Sequence, residues 1–390
     1  MRCEKTIVCA ILALVFIINN SACAYYNVID LGTIEGYSYG STAMSVNDNG
    51  QIVGVSYSLS YSRACLFDST GHGNNINLGT LGGNHSSALS INNTGQITGQ
   101  AYNNSGYGLA CLFDPTGRGA NINLGIFGLF GGGRESSALY INDNGQIVGW
   151  AEKYINYNYY RHACLFDPTG NGHNIDLKTL GGNTSTAISI NDNGQIVGDS
   201  DIGIGDLRHA CLFNATGNGN NEDLWTLGGN YLCSRATSIN NNGKIVGFSY
   251  RYSPYGLFPG SRACLFDSTG NHINIDLGTI ASYEYSQALS INDNGQIVGL
   301  VYNDAMPVGH ACLFDSTGGG DNIDLNTLID PESNWTLYNA YDINNNGWIA
   351  GYGIHNEQYR AYLLVIPEPT TIALLSLGGL AILGRKKNKN

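Results

Sequence analysis

The chain has 390 residues, only 12% of them charged, with 18 Lys and Arg against 30 Asp and Glu and a formal net charge of −12. Residues 25–366 alone carry about −16 and hold no basic run or stripe, which argues against nucleic acid as a partner. Low charge and abundant glycine fit many short strands joined by small polar turns.

Residues 1–24 read as an export signal. Arg2 and Lys5 precede the apolar run Ile7 to Ile18, and Ala22-Cys23-Ala24 supplies a small-residue cleavage pattern. The run is short for a membrane span. A lipoprotein reading on Cys23 is the alternative, although Asn20 stands where such signals usually carry Leu. The mature chain is expected to begin near Tyr25.

From residue 25 to 366 the chain repeats itself. Near-copies of Ser90-Ile91-Asn92-Asn93-Thr94-Gly95-Gln96-Ile97-Thr98-Gly99 place a turn glycine at Gly50, Gly95, Gly145, Gly194, Gly243, Gly295 and Gly347. A near-constant period of this size marks a solenoid, a propeller or an array. Each copy carries four short apolar or alternating runs, here lettered a to d, bounded by Gly, Asn, Asp or Ser. In the second copy they are Ser87–Ile91, Gln96–Gly99, Ala110–Asp114 and Asn121–Gly125. Asn-Gly suits the tight a–b turn, and Asp-Ser-Thr-Gly or Asp-Pro-Thr-Gly the c–d turn.

Run c occurs seven times, but run d follows it only six times. The spare d is Val28-Ile29-Asp30-Leu31-Gly32-Thr33-Ile34, at the other end. These counts predict an all-β fold, a seven-bladed β-propeller of four-stranded blades. Its last blade is completed by the N-terminal strand, 26–34 pairing with 359–366. A closed ring leaves only short, protected edges. No polar capping units of the kind that end an open solenoid are present.

Three of the ten cysteines, Cys3, Cys9 and Cys23, lie in the export signal. Cys65, Cys111, Cys164, Cys211, Cys264 and Cys312 recur at one place in run c. Equivalent positions on a ring of roughly 15 Å radius stand roughly 13 Å apart, beyond the roughly 7 Å limit of a disulfide. They are therefore read as free, buried thiols. Cys233 is placed on a d–a connection with no obvious partner.

The b–c connections vary from copy to copy and concentrate Tyr, Asn, Ser and Gly. In such a ring they share a face with the d–a connections. Variable loops on a rigid scaffold are where binding residues gather, and aromatic side chains offer flat apolar faces with polar edges. The candidate binding residues are Trp150, Tyr157, Tyr159, Tyr160, Tyr252 and Tyr255. The competing reading is that these tyrosines merely cover the blade tops.

Catalytic signals are weak. The Asn-Asp-Asn-Gly turns lack the alternating twelve-residue ligand pattern of an EF-hand, and a hairpin turn explains every copy. The Asp-Ser-Thr-Gly turns resemble the Asp-box of sialidase propellers, without its later aromatic and without an identifiable arginine set. Arg63, Leu109, His162, His209, Arg262, His310 and Arg360 begin run c. The six basic or titratable ones are read as partners of loop carbonyls or Asn rather than as a ring for an anionic sugar. No catalytic residue, metal-ligand set or cofactor site is expected.

The tail opens at Ile366 with Pro367-Glu368-Pro369, continues through the apolar stretch Thr371 to Gly384, and ends in Arg385-Lys386-Lys387. This order closely resembles the PEP-CTERM sorting signal of Gram-negative bacteria; a plain carboxy-terminal anchor is the alternative. The resemblance implies an exosortase-type sorting enzyme as partner and transient insertion in the inner membrane. The outer surface or the extracellular matrix is then the destination. The repeats themselves resemble the HAF extracellular repeat. His162-Ala163, Asn77-Leu78-Gly79-Thr80-Leu81-Gly82-Gly83 and Ile291-Asn292-Asp293-Asn294-Gly295-Gln296-Ile297-Val298-Gly299 match its parts, with Cys where that family has Phe. The expected organisation is signal peptide 1–24, propeller 25–366 and sorting tail 367–390. The expected function is non-enzymatic binding of polysaccharide or another surface component; the alternative is a glycoside hydrolase or lyase acting on matrix glycan.

Overall fold

The computed structural model describes residues 25–127, 134–205, 207–252, 260–269, 271–303 and 306–365. The export signal, Tyr255 and the sorting residues Pro367, Glu368 and Pro369 lie outside these. The fold is all-β, and its only helical turns among the described residues are Leu325–Thr327 and Pro331–Ser333. None of the described helices is long and apolar enough to cross a membrane.

The strands fall into units ordered a, b, c, d. Unit 1 holds Gly40–Val46, Ile52–Tyr57, Ser62–Phe67 and Ile76–Asn77; unit 2 holds Gly82–Ile91, Ile97–Asn103, Gly108–Phe113 and Ile122–Gly125. Unit 3 holds Ser136–Ile141, Ile147–Ile155, Asn158–Phe166 and Ile175–Asp176; unit 4 holds Ser185–Ile190, Ile196–Asp201, Arg208–Phe213 and Glu222–Trp225. Unit 5 holds Cys233–Ile239, Ile245–Tyr250, Arg262–Phe266 and Ile275–Gly278; unit 6 holds Tyr285–Ile291, Ile297–Asn303, Met306–Phe314 and Ile323–Asp324. Unit 7 takes Trp335–Ile343, Ile349–His355 and Gln358–Val365 from the end of the chain and Asn27–Asp30 from its beginning. Units 3 to 7 are separate four-stranded antiparallel sheets. Units 1 and 2 are joined by one parallel bridge, Ser62 to His85. The arrangement is propeller-like.

Local sequence explains the unit. Strand a carries a bulge, between Ala43 and Ser45 in unit 1, and the bulged backbone presses on strand b. A Cβ on Gly54 would stand 2.0 Å from the Thr42 carbonyl oxygen, so only glycine fits there. Strand d is shorter than the sequence pattern suggests. In unit 1 the Asn77 side chain accepts from the Gly79 N–H at 2.9 Å, a local turn that ends the ladder after two residues.

The core lies between units rather than within them. Val53 and Ala64 of unit 1 and Leu78 beyond its last strand pack on Ala88, Ile91, Ile97, Ala101, Cys111 and Phe113 of unit 2. The same packing closes the two ends of the chain. Leu31, Ile34, Ala43, Val46, Ile52, Cys65 and Phe67 meet Ala350, Ala361 and Leu363 of unit 7. The terminal strands pair antiparallel, Asn27 opposite Val365 through Asp30 opposite Tyr362. This is narrower than 26–34 against 359–366, because Tyr26 turns away and donates its N–H to the Leu328 carbonyl at 2.8 Å. The described cysteines are free and buried. Cys233 is not on a connection: it opens strand a of unit 5 and packs on Phe248 and Tyr250.

Candidate binding face and the polar rim opposite it

The a–b turns meet around a small cavity of about 110 Å³. There each turn is tied to the next. The buried Asn47 amide donates to the Asn92 carbonyl at 2.9 Å, and the same link runs through Asn92, Asn142, Asn191, Asn240, Asn292 and Asn344, the last returning to Asn47. A second cycle runs beside it, from each backbone N–H to the next side-chain oxygen, through Asp48, Asn93, Asp143, Asp192, Asn241, Asp293 and Asn345. The sequence reading treated these turns as isolated hairpins. Their second role, as rivets between units, has one visible signal: Asn recurs at the same position in every copy.

Deeper in the cavity, the bulge position is Ser45, Ser90, Ser189, Ser238 and Ser290, but Tyr140 in unit 3 and Asp342 in unit 7. Asp342 accepts from the Ser45 and Ser290 hydroxyls at 2.9 and 2.8 Å and from the Val46 N–H at 2.9 Å. Burial raises its carboxyl above the usual range, against the pull of those donors. Among the described residues no group of His, Cys, Asp and Glu is placed to hold a metal ion.

At the start of run c, three histidines and Arg262 meet carboxylates of their own units, while Arg63 and Arg262 also reach the expected loop carbonyls, of Asn84 and Glu284. His162 reaches Asp176 at 2.9 Å, His209 Asp223 at 2.8 Å, His310 Asp324 at 2.7 Å and Arg262 Asp276 at 3.3 Å. Where strand d offers Asn77 or Asn123 instead, strand c opens with Arg63, which donates to the Asn84 carbonyl, or with Leu109. A basic residue followed by Asp fourteen positions later was the legible signal. In unit 7, Asp30 takes both His355 at 2.8 Å and Arg360 at 3.8 Å, so this pairing also holds the terminal strand.

The opposite face carries the b–c and d–a connections. At the seam of units 7 and 1 it holds a groove of about 280 Å³ lined by Tyr39, Gly40, Ser41, Thr42, Tyr57, Ser58, Tyr352 and Tyr359. No charged residue lines it. Tyr39 and Tyr359 are 64% and 49% exposed. Half-buried Tyr352 is wedged between Tyr338, edge-on at 6.0 Å, and Tyr341, stacked at 5.9 Å. Burial, then the neighbouring Tyr359, Tyr338 and Tyr57 phenols, pushes the Tyr352 hydroxyl above its ordinary pKa, so it stays a neutral donor and acceptor.

The residues singled out from sequence are not one site. Trp150 is buried in strand b of unit 3, with the Arg161 guanidinium 4.1 Å over its ring. It is a packing residue, not a loop residue, because strand b continues past this position in every unit; in unit 3 strands b and c also run on as one long hairpin. Their two-residue turn, Asn156-Tyr157, has φ of 48° and 66°, the left-handed pair of a tight hairpin. That turn lifts Tyr157 to 91% exposure. Tyr159 is exposed and packs at a tilt on Tyr154, ring centres 4.9 Å apart, Tyr160 is half-buried, and Tyr252 is exposed beyond strand b of unit 5. The groove tyrosines were missed because Tyr39 and Tyr359 are separated by most of the chain.

Residues 132–319 match the family described as protein of unknown function DUF3466. Residues 365–387 match the PEP-CTERM protein-sorting motif. That motif implies export, recognition by an exosortase, and a cell-surface or extracellular location in Gram-negative bacteria. No curated protein matches the chain. Among solved structures it is similar to TolB from Acinetobacter baumannii, with 15% identity and a TM-score of 0.44, over 73% of this chain and 63% of that one. It is also similar to a sialidase from Trypanosoma rangeli, with 10% identity and a TM-score of 0.38, over 87% of this chain and 58% of that one. The chain thus spans less than two thirds of either protein.

Proposed function

We propose that residues 25–366 form a seven-bladed propeller of HAF-like repeats, closed by its N-terminal strand. It is anchored transiently in the inner membrane and then released to the outer surface or matrix. There it binds a neutral polysaccharide without transforming it. The observation that carries the binding claim is the uncharged tyrosine groove at the seam of units 7 and 1. Exposed phenol faces suit the apolar faces of sugar rings, while the Ser and Thr hydroxyls around them suit sugar hydroxyls. An acidic body with an uncharged groove disfavours acidic polymers.

The absence of chemistry is supported by how the carboxylates are engaged. Asp48, Asp143, Asp192, Asp293 and Asp342 sit at the a–b end, away from the groove, and bind neighbouring units. The test is retention of native extracellular polymer by the purified body. Wild type should retain it. Tyr39→Ala with Tyr359→Ala should lose it, and Tyr157→Ala with Tyr159→Ala and Tyr160→Ala should retain it. Loss only in the latter variant would move the site to unit 3, no retention by wild type would end the binding claim, and release of soluble sugar would favour the hydrolase or lyase.

A further inference from the structure

The strand that closes the ring is also where the sorting motif starts. Strand c of unit 7 ends at Val365, and the sorting match begins at residue 365. Val365 pairs with Asn27 and packs on the closing core, so the base of the motif is fixed by the fold. Beyond it, both flanking strands stop among the described residues. On one side the last pair is Leu364 with Ile349. On the other, the N-terminal strand departs at Tyr26, whose N–H goes to Leu328 and which bridges Ile329 instead. Pro367 and Pro369 have no N–H to offer a ladder, so the sequence itself forbids extending the pairing through the motif.

The export signal ends at the same spot. Ala24 precedes Asn27 by three residues, so the apolar runs 7–18 and 371–384 attach to the two members of one antiparallel pair. Two chain ends side by side and opposite in direction are what two neighbouring membrane-inserted segments present. The ring can therefore close while both are still attached.

We propose that the sorting enzyme acts on the closed ring, taking the chain only from Ile366 onward while Asn27–Asp30 stays paired with Tyr362–Val365. This rests on reading 367–390 as a sorting signal. In the cut, one peptide bond beyond Ile366 breaks. Its carbonyl carbon passes to water or to an acceptor nucleophile, and its nitrogen gains a proton and leaves as the new amino terminus of the tail.

The test is the double variant Asn27→Cys with Val365→Cys, made in a Gram-negative host that carries an exosortase. Opposed Cα atoms of an antiparallel pair lie about 4.5–5.5 Å apart, within reach of a disulfide. Cross-linking is checked by a proteolytic map without reductant, and tail removal by the mass of the mature chain. The expected result is that the cross-linked chain loses its tail at the wild-type rate. A cross-linked chain that keeps its tail, while either single variant loses it, overturns the proposal. A flexible Gly-Ser insert of ~4 residues after Ile366 should likewise leave the rate unchanged; faster cutting would mean that unzipping normally limits it. A wild-type chain that keeps its tail in this host would instead overturn the sorting-signal reading itself.

Discussion

The side-chain amide of Asn344 donates to the main-chain carbonyl of Asn47 at 2.9 Å, although 297 residues separate them. It is the same bond that joins neighbouring units elsewhere on the rim, so the joining of units 7 and 1 is no special contact but one more copy of a repeated one. Both groups are buried; the Asn47 carbonyl keeps the Gly50 N–H as a second donor, but losing the Asn344 side chain also takes the acceptor of the Asn346 and Trp348 N–H groups. Asn344→Ala should cost about 1–3 kcal/mol, and Asn292→Ala about the same, in urea unfolding. A cost under about 0.5 kcal/mol for Asn344→Ala alone would mean that this seam is already open.

An odd ring cannot alternate two residue types. The rim reads Asp48, Asn93, Asp143, Asp192, Asn241, Asp293, Asn345, and each Asn amide is shared between two carboxylates. Only Asp143 and Asp192 are neighbours with no amide between them. Asp192→Asn removes that like-charge contact, so its melting temperature should rise, on the order of 1 °C, most clearly at low salt. A rise independent of salt would point to a different cause.

Much of this was legible in the sequence because it is repeated. The period, the hairpin turns, the free cysteines and the pairing of the two chain ends follow from patterns that recur in each copy. What was illegible belongs to single copies or to pairs of copies. Trp150 sits where the copies differ in residue type, and its burial follows from a strand b that runs further than the repeated pattern does. The groove draws Tyr39 and Tyr57 from one end of the chain and Tyr352 and Tyr359 from the other. The rim bonds run between copies, and because the turn is complete on its own, the Asn recurring in every copy is the one sign of them.

Asp199 is a fully buried charge in strand b of unit 4. One of its carboxylate oxygens accepts from Arg208 at 2.8 Å and Arg235 at 3.0 Å; the other has no partner among the described residues. Burial would raise its pKa, but the two guanidinium groups outweigh it and lower it to about 2. The folded state thus holds this proton more weakly than the unfolded chain. Its contribution is present above about pH 4 and lost as pH falls toward 2. Asp199→Asn should cost about 3 kcal/mol near neutrality, and the gap from wild type should close below about pH 4 in thermal melts. A gap constant down to pH 2 would mean that shape, not charge, holds the site.

The cysteines should be silent in the folded protein. Burial pushes their thiols up, to about 12 for Cys111, so almost no thiolate is present near neutrality. A thiol reagent should find nearly none in the native body and seven in the unfolded, unreduced body (residues 25–366). A count near one after unfolding would mean disulfides that the fold does not contain.

Asp342 has the opposite pH signature from Asp199. Its pKa is raised by burial, so the folded state binds the proton more tightly than the unfolded chain. The stability it contributes is therefore full below the unfolded value of about 4 and is lost as pH rises through the folded value. Five units carry Ser at this position, and two of those hydroxyls, Ser45 and Ser290, already donate to Asp342. In Asp342→Ser the titrating group is gone, and the Val46 N–H can still meet an oxygen, as the Ile141 N–H meets Ser90 at 3.3 Å. Relative to wild type the variant should gain stability as pH rises from about 4 to the folded value, read from denaturant midpoints at matched ionic strength, and be weakest at the acid end. A variant that loses ground as pH rises would mean that the ionised carboxylate, held by its donors from units 1 and 6, is the form the folded state prefers.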